Sequence, residues 1–311
     1  MKDVQGREVT PNLTYFIRNN ASLYADKISS QARYGNSGDG QMLMITGLLP
    51  ISYGSAAMYF GNNVYPSWAH LYEHSMVINP SPLAWNIDVT TPSYGFKQLV
   101  QPDDSRVFWD DAQVTTHLMN VVDTIKEPFA IFAITETMHG PYLKIPYNPQ
   151  IMEFPNDMPT HMRNYLTCVH YTDSCIGAFL NFYMRSHPDK LDNTIILITG
   201  DHTTFKPGGV LRDFIPYAKK NNMPMAEGIT YCPLIVYDKS RSKILRSDMC
   251  YQMDIYPTIM SCIGAKDYPW KGFGIDLYTT LDTIKRPFLE ERAYELSNKI
   301  IRSNYFDKLS D

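Results

Sequence analysis

Cysteine is scarce in this chain of 311 residues: Cys168, Cys175, Cys232, Cys250 and Cys262, an odd number with no C-x-x-C pair. That pattern argues against a cysteine-bound zinc cluster or a redox dithiol. Cys168 and Cys175 fall in a helical stretch, about two turns apart, too far for an unstrained bridge. An excess of one charge is also lacking. Lys and Arg number 28 against 32 Asp and Glu, for a formal charge of -4, and no basic run occurs, so there is no electrostatic case for a nucleic-acid partner. No apolar run reaches membrane length. The amino end, MKDVQGREVTPNLTYFIRNN, has no apolar core of a secretory leader, so the polypeptide as given reads as soluble. Internal repeats, low-complexity tracts and linkers are missing too. What is present is ordinary globular material, 44% apolar and 19% charged, enough for an ample core in one large α/β domain or two smaller ones.

The punctuation predicts the order of elements. TPNLTYFIRNN predicts a helix with Thr10 as cap and Pro11 in the first turn. Residues 37 to 48 read as loop turning into helix, with Ser37 near its start. PFAIFAIT, 128 to 135, predicts a strand. From Met162 the apolar residues Tyr165, Leu166, Val169, Ile176, Phe179, Leu180, Tyr183 and Met184 recur mostly at threes and fours, one face of a long helix that ends before Pro188. TIILIT, apolar on both faces, predicts a parallel strand covered on each side. CPLIVYD at 232 to 238 predicts another strand, and QMDIYPTIMSCI at 252 to 263 a helix with an acidic first turn. This alternation implies an α/β fold with a mostly parallel sheet.

Asp201 and His202 stand where TIILIT runs out into GDH. Loops at the carboxyl ends of strands in open α/β sheets carry ligand chemistry. In a tight turn a carboxylate and a neutral imidazole can hold one cation. Taken alone, the dipeptide fits better a loop aspartate capping the next helix beside a surface histidine.

Context changes that balance. PFAIFAITETMHGPYL, NYLTCVHYTDSCIGAFLNFY, LDNTIILITGDHTTF, CPLIVYD and QMDIYPTIM followed by KGFGIDLY come in an order that resembles the sulfatase branch of the alkaline phosphatase superfamily. The likeness is strongest to phosphoglycerol transferases of the lipoteichoic acid synthase type, and it runs from GREVTPNL to about Leu277. It implies a three-layer α/β/α sandwich, with 1–311 a single catalytic domain and 279–311 a carboxyl-terminal helical tail. It also implies one divalent ion (Mn, Mg or Zn) held by Ser37, Asp201 and His202, since GNSGDGQ aligns Ser37 with the family's threonine nucleophile. A hydroxyl beside a cation at a helix amino end is easier to deprotonate and faces a place that favours phosphate. A plain helix-cap serine is the competing reading.

By the same resemblance His139 in MHGPY would touch the transferred group or leaving oxygen, and Trp85, Asn86 and Asp88 in AWNID would line the headgroup pocket. The family's arginine there is Ile87, which cannot give bidentate phosphate recognition, so glycerol phosphate itself is not assigned. The implied reaction is transfer or hydrolysis of a phosphate-ester headgroup on a phospholipid or glycan. The implied setting is the extracytoplasmic part of a membrane-anchored bacterial protein. Two alternatives stand: a sulfate-ester hydrolase of the same fold, and an inactive domain that binds an anionic glycan or lipid headgroup. No C-x-P-S-R segment is present, which removes the formylglycine mechanism.

Other polar residues take plainer readings. Asp173 would be structural on the helix edge, and Asp254 would favour a helix dipole. His70 and His74 in HLYEH, read as one helix face, match a short metal pattern by chance and are surface or packing residues. Glu136 is an outside candidate ligand. The resemblance also implies an apolar first strand ending in a metal-binding glutamate, for which this sequence has no counterpart. Without it the expectation is weak metal binding and slow turnover.

Overall fold

A computed structural model describes residues 6–34, 36–82, 84–143, 154–203, 210–223, 231–279 and 286–309. Gly35 of GNSGDGQ, Thr204 and Phe205 after the GDH turn, the first five residues, and 280–285 in the expected tail lie outside them.

Strands fall into two groups. One sheet has the order β5-β6-β1-β7, from Ile195–Thr199, Cys232–Asp238, Leu23–Ser29 and Ile244–Arg246, with β8 (Cys250–Tyr251) also on β1. The other has the order β3-β2-β4, from Gln98–Val100, His74–Ile78 and Phe129–Ala133, and is parallel throughout. β1 pairs in parallel with β7 and β8, but TIILIT and CPLIVYD, as β5 and β6, pair antiparallel, and β6 is antiparallel to β1. The fold is α/β as expected, but the larger sheet is mixed. The parallel pairing expected for TIILIT is corrected: β5 runs against β6, so its place in the sheet is not that of a simple βαβ strand beside CPLIVYD.

β1 had no clear pattern in the sequence because Asp26 and Lys27 interrupt its alternation; the structure has a register shift between Ala25 and Ile28 there, and both charged residues face solvent. HLYEH is not a helix face. His70 sits in a 3-10 turn, with Nε2 3.0 Å from the Tyr65 carbonyl oxygen, and His74 opens β2.

Helices cover both faces of the sheets. On one side lie α2 (Asn36–Thr46) and α8 (Ile255–Cys262), whose Met42, Ile45, Tyr256 and Met260 share a core with Val77, Ala130 and Phe132. The same two helices send Met44, Ile255 and Ile259 onto Leu23, Ala25, Leu234 and Leu197 of the other sheet. Across the sheets, α5 (Asp111–Thr124) packs Val114, Leu118 and Val121 on Met76, Ile78 and Ile131, while α6 (Thr160–Ser186) packs Ile176, Phe179 and Leu180 on Ile196, Ile198, Ile235 and Tyr237. Short helices α3 (Ala56–Tyr59) and α4 (Ile87–Ser93) and the amphipathic α7 (Val210–Lys220) complete the middle of the chain. The last long helix, α9 (Arg286–Arg302), is held to the body by buried Ala293 and Ile301 and by the Ser297 hydroxyl, which donates to the Leu49 carbonyl at 2.6 Å.

The first helix, α1 (Pro11–Asn19), shows how α6 positions its neighbours. Thr10 makes no side-chain cap bond. The free N–H groups of its first turn go instead to Asp173 of α6: Asn12 N and Leu13 N donate to its carboxylate at 3.0 and 2.8 Å, and Asn12 Nδ2 at 2.8 Å. Helix-start donors need acceptors, and a carboxylate also suits the positive end of the helix dipole.

Candidate active site at the end of the fifth strand

Ser37 stands in the first turn of α2. Two glycines let that turn approach its neighbours. A Cβ on Gly38 would press into the Trp85 indole, and one on Gly40 would collide with the backbone carbonyl of Asp201. The GNSGDGQ spacing therefore brings the helix start against the loop after β5. That loop is tied from behind by a buried pair of glutamines. Gln252 donates from Nε2 to the Asp201 carbonyl at 2.5 Å and accepts at Oε1 from Gln31 N at 3.0 Å, while Gln31 Oε1 accepts from Met253 N at 2.7 Å.

Ser37 Oγ lies 3.1 Å from His202 Nε2, which in turn is 3.9 Å from Asp201 Oδ1. His202 Nδ1 faces the Thr203 carbonyl oxygen at 2.9 Å. A carbonyl only accepts, so this bond calls for a proton on Nδ1; in the neutral ring the lone pair is then on Nε2, toward the serine. Asp201 Oδ1 accepts from the His202 backbone N–H at 2.8 Å, which fixes the carboxylate beside the ring. Both side chains are about one quarter to one third exposed, 26% for His202 and 34% for Asp201, so solvent and ligand can reach them.

The 3.1 Å and 3.9 Å separations are of the size found between two ligands of one divalent cation. Donors each ~2.0–2.2 Å from a shared ion stand about 3–4 Å apart, and an imidazole ligand usually donates its other N–H to a carbonyl. Among the described residues no cluster of at least three His, Cys, Asp or Glu side chains occurs.

The remaining expected residues fall at varying removes. Trp85 and Asn86 both adopt left-handed backbone, with φ of 52° and 58°, and Trp85 lies on Gly38, next to Ser37. Asn86 instead turns its amide to the Ala57 carbonyl, at 3.1 Å, and Asp88 is exposed in the first turn of α4. Ile87 between them is buried with Met42, Tyr65 and Tyr94 in the core, so the position where the family pattern has arginine is a packing position in this chain. His139 follows β4 with its ring exposed and Nδ1 2.7 Å from the Gly140 carbonyl oxygen. Glu136, just before it, is half-buried.

Sequence reasoning missed what holds the His139 loop. Asp111, fully buried at the start of α5, accepts from Glu136 N and Thr137 N at 2.9 Å each through Oδ1, and from the Thr172 hydroxyl at 2.6 Å through Oδ2. One carboxylate thus joins the loop after β4 to α5 and α6. In sequence it is only an acidic residue in a helix's first turn, beside the true cap Asp110. Asp254 likewise does more than favour a dipole: its carboxylate accepts from Tyr251 N at 2.8 Å and Ile275 N at 3.0 Å.

A family model described as Sulfatase matches residues 54–265, more than half of the chain, a span that holds His139, Asp201 and His202. Lipoteichoic acid synthase of Staphylococcus aureus (strain NCTC 8325 / PS 47) is 23% identical, aligned over 99% of this chain and 50% of its own length, so this chain spans about half of that relative. Among solved structures, lipoteichoic acid synthase LtaP from Listeria monocytogenes superimposes with a TM-score of 0.77 at 19% identity, covering 97% of this chain and 88% of that one. Streptococcus pyogenes phosphoglycerol transferase GacH, solved with sn-glycerol-1-phosphate, gives a TM-score of 0.59 at 12% identity, covering 94% and 79%. BT4656, solved with D-glucosamine-2-N,6-O-disulfate, gives 0.56 at 15%, covering 88% and 75%. The sandwich of helices over the two sheets and the span of the family match lead to one assignment: the chain belongs to the Sulfatase family.

Proposed function

We propose that this site transfers or hydrolyses a phosphate-ester headgroup, with Ser37 as nucleophile. The observation that carries the reading is the 3.1 Å approach of Ser37 Oγ to His202 Nε2. Ser37 Oγ forms a bond to phosphorus as the bond from phosphorus to the leaving alcohol oxygen breaks, and the serine proton passes to His202 Nε2 or, with that nitrogen on a cation, to solvent. The alcohol oxygen takes up a proton, a step we assign to His139. Water or an acceptor alcohol then displaces Ser37 and restores the hydroxyl. A divalent ion (Mn, Mg or Zn) held by Ser37, Asp201 and His202 would supply Lewis-acid stabilisation of charge on the phosphoryl oxygens and lower the pKa of the hydroxyl. Trp85 lines the pocket beside the nucleophile, with Asn86 and Asp88 of the same segment assigned to the headgroup; Asn86 would have to leave the Ala57 carbonyl to reach it.

The similarity to LtaP and GacH supports a lipid or glycan headgroup as the substrate class, though buried Ile87 speaks against an arginine-type phosphate clamp. By its similarity to lipoteichoic acid synthase we assign the chain to the extracytoplasmic side of a bacterial membrane; no helix among the described residues is long and apolar enough to cross one. The sulfated-glycan complex of BT4656 supports sulfate esters as the second reading. Turnover of bis-p-nitrophenyl phosphate and of p-nitrophenyl sulfate, with added Mn²⁺, separates the two. The expected result is phosphodiester cleavage that falls by about 100-fold or more in Ser37→Ala. Cleavage of the sulfate alone, or unchanged rates in Ser37→Ala, would overturn the proposal.

A further inference from the structure

Ser37 and His202 sit on different elements, and one short segment, residues 31–33, is bonded toward both. Gln31 N donates to Gln252 Oε1 at 3.0 Å, and Gln252 Nε2 holds the Asp201 carbonyl at 2.5 Å, the same carbonyl that Gly40 of α2 lies against. Arg33 N donates to Asp39 Oδ2 at 2.9 Å, in the first turn of α2 and two residues after Ser37. The spacing of the serine turn and the GDH turn therefore runs through this segment.

What holds residues 31–33 is α9. Tyr294 donates its hydroxyl to the Gln31 carbonyl at 2.8 Å, and the Arg33 guanidinium lies 3.6 Å from the centre of its ring. Glu290, one turn earlier, accepts from Gln31 Nε2 at 2.7 Å. Gln31 is 2% exposed and Gln252 fully buried, so neither amide has water as a substitute partner. Backbone N–H groups only donate, and that fixes both amides. Met253 N takes Gln31 Oε1, which leaves Nε2 for Glu290; Gln31 N takes Gln252 Oε1, which leaves Nε2 for Asp201. Under these polar contacts Ala293 and Tyr294 pack with Leu43 of α2 and with Tyr251 and Met253, which flank Gln252. One helix thus touches the frame of both halves of the site.

We infer that α9 is a working part of the candidate site: Glu290 and Tyr294, acting through Gln31, are positioning residues that set the distance between Ser37 and the Asp201–His202 turn. What that distance serves rests on the proposed function; the geometry does not. A helix packed for stability alone loosens the chain broadly when a contact is lost. A positioning helix loosens two remote turns together, and with them the step that joins Ser37 to His202.

The donor and acceptor order allows a swap. Gln31→Glu sets two carboxylates against each other, and adding Glu290→Gln restores a donor facing an acceptor while Met253 N keeps its partner. Tyr294→Phe, which loses only the hydroxyl bond and keeps the ring under Arg33, serves if Gln31→Glu does not fold. Hydrogen exchange of the intact chain, read by mass spectrometry, is the first measurement. The expected result is exchange faster by about tenfold in both 36–41 and 199–203 for Gln31→Glu and by about threefold for Tyr294→Phe, with the swap returned to about the wild-type rate and 98–100 unchanged throughout. Steady-state cleavage of bis-p-nitrophenyl phosphate with Mn²⁺ is the second: kcat should fall by about tenfold in Gln31→Glu at a KM changed by no more than about twofold, and recover in the swap. Unchanged exchange at either turn in both single variants, no recovery in the swap, faster exchange across the whole chain, or a raised KM at constant kcat would overturn the inference. A wild-type chain without turnover would overturn the proposed function instead, and exchange then decides on α9 by itself.

Discussion

Ser37 Oγ and His202 Nε2 meet at 3.1 Å although 165 positions separate them in the chain. The Thr203 carbonyl, 2.9 Å from Nδ1, favours the neutral tautomer whose lone pair is on Nε2. His202→Gln keeps a polar side chain but loses that lone pair in its fixed place. We expect turnover of bis-p-nitrophenyl phosphate to drop by about 100-fold with a loss of no more than about 1 kcal/mol in urea unfolding, because glutamine keeps a polar group at a position that is about one quarter exposed. A variant with full activity would remove His202 from the reaction.

Asp173 supplies the acceptors for the first turn of α1 from a distance of 160 residues or more. Asp173→Ala leaves Asn12 N and Leu13 N without their acceptor, and the predicted cost is about 2 kcal/mol in urea unfolding, with Asp173→Asn costing less than that. Equal stability of wild type and Asp173→Ala would show that water replaces the carboxylate without loss.

Asp111 is more deeply placed, with its three donors drawn from two elements. Asp111→Ala should destabilise by about 3 kcal/mol, since buried amide groups are left unpaired. In addition, amide exchange in 136–139 should accelerate, because that loop loses its tether. A loss of stability with unchanged exchange in the loop would contradict the assigned role.

Burial pushes the thiols of Cys168, Cys175, Cys232 and Cys262 up to about 12. The folded chain therefore keeps these protons above pH 9, where the unfolded chain releases them. Their contribution to stability is full below about pH 9 and is lost as pH rises toward 12. Unfolding free energy should fall through that window. At pH 8 in native buffer, iodoacetamide should label these cysteines far more slowly than in urea. Fast native labelling of Cys168 or Cys232 would contradict the packing described.

Much of the fold could be read from periodicity, since an apolar run or a helical face reports its own burial. The strands PFAIFAIT, TIILIT and CPLIVYD and the long helix after Met162 are of this kind. Pairing partners are not written in such runs, so neither the antiparallel β5-β6 pair nor the split between β4 and β5 was legible. β1 is hidden because charged Asp26 and Lys27 fall at a bulge, and β2 because its first residue, His74, stands four positions after His70, a spacing that mimics one helix face. In the site, Ser37, Asp201 and His202 were legible only through the family resemblance of the segments that carry them, since alone they fit a helix-cap serine and a loop aspartate beside a surface histidine. Asp111 and Gln252 were not, because their importance comes only from what reaches them through space.

Intact-protein mass spectrometry after brief exposure to an aryl phosphodiester and Mn²⁺ tests the nucleophile most directly. The account predicts a mass increase of one phosphoester group, mapped by fragmentation to Ser37 and missing from Ser37→Ala. Substrate cleavage with no adduct on Ser37 under rapid acid quench, or an adduct on another residue, would contradict it.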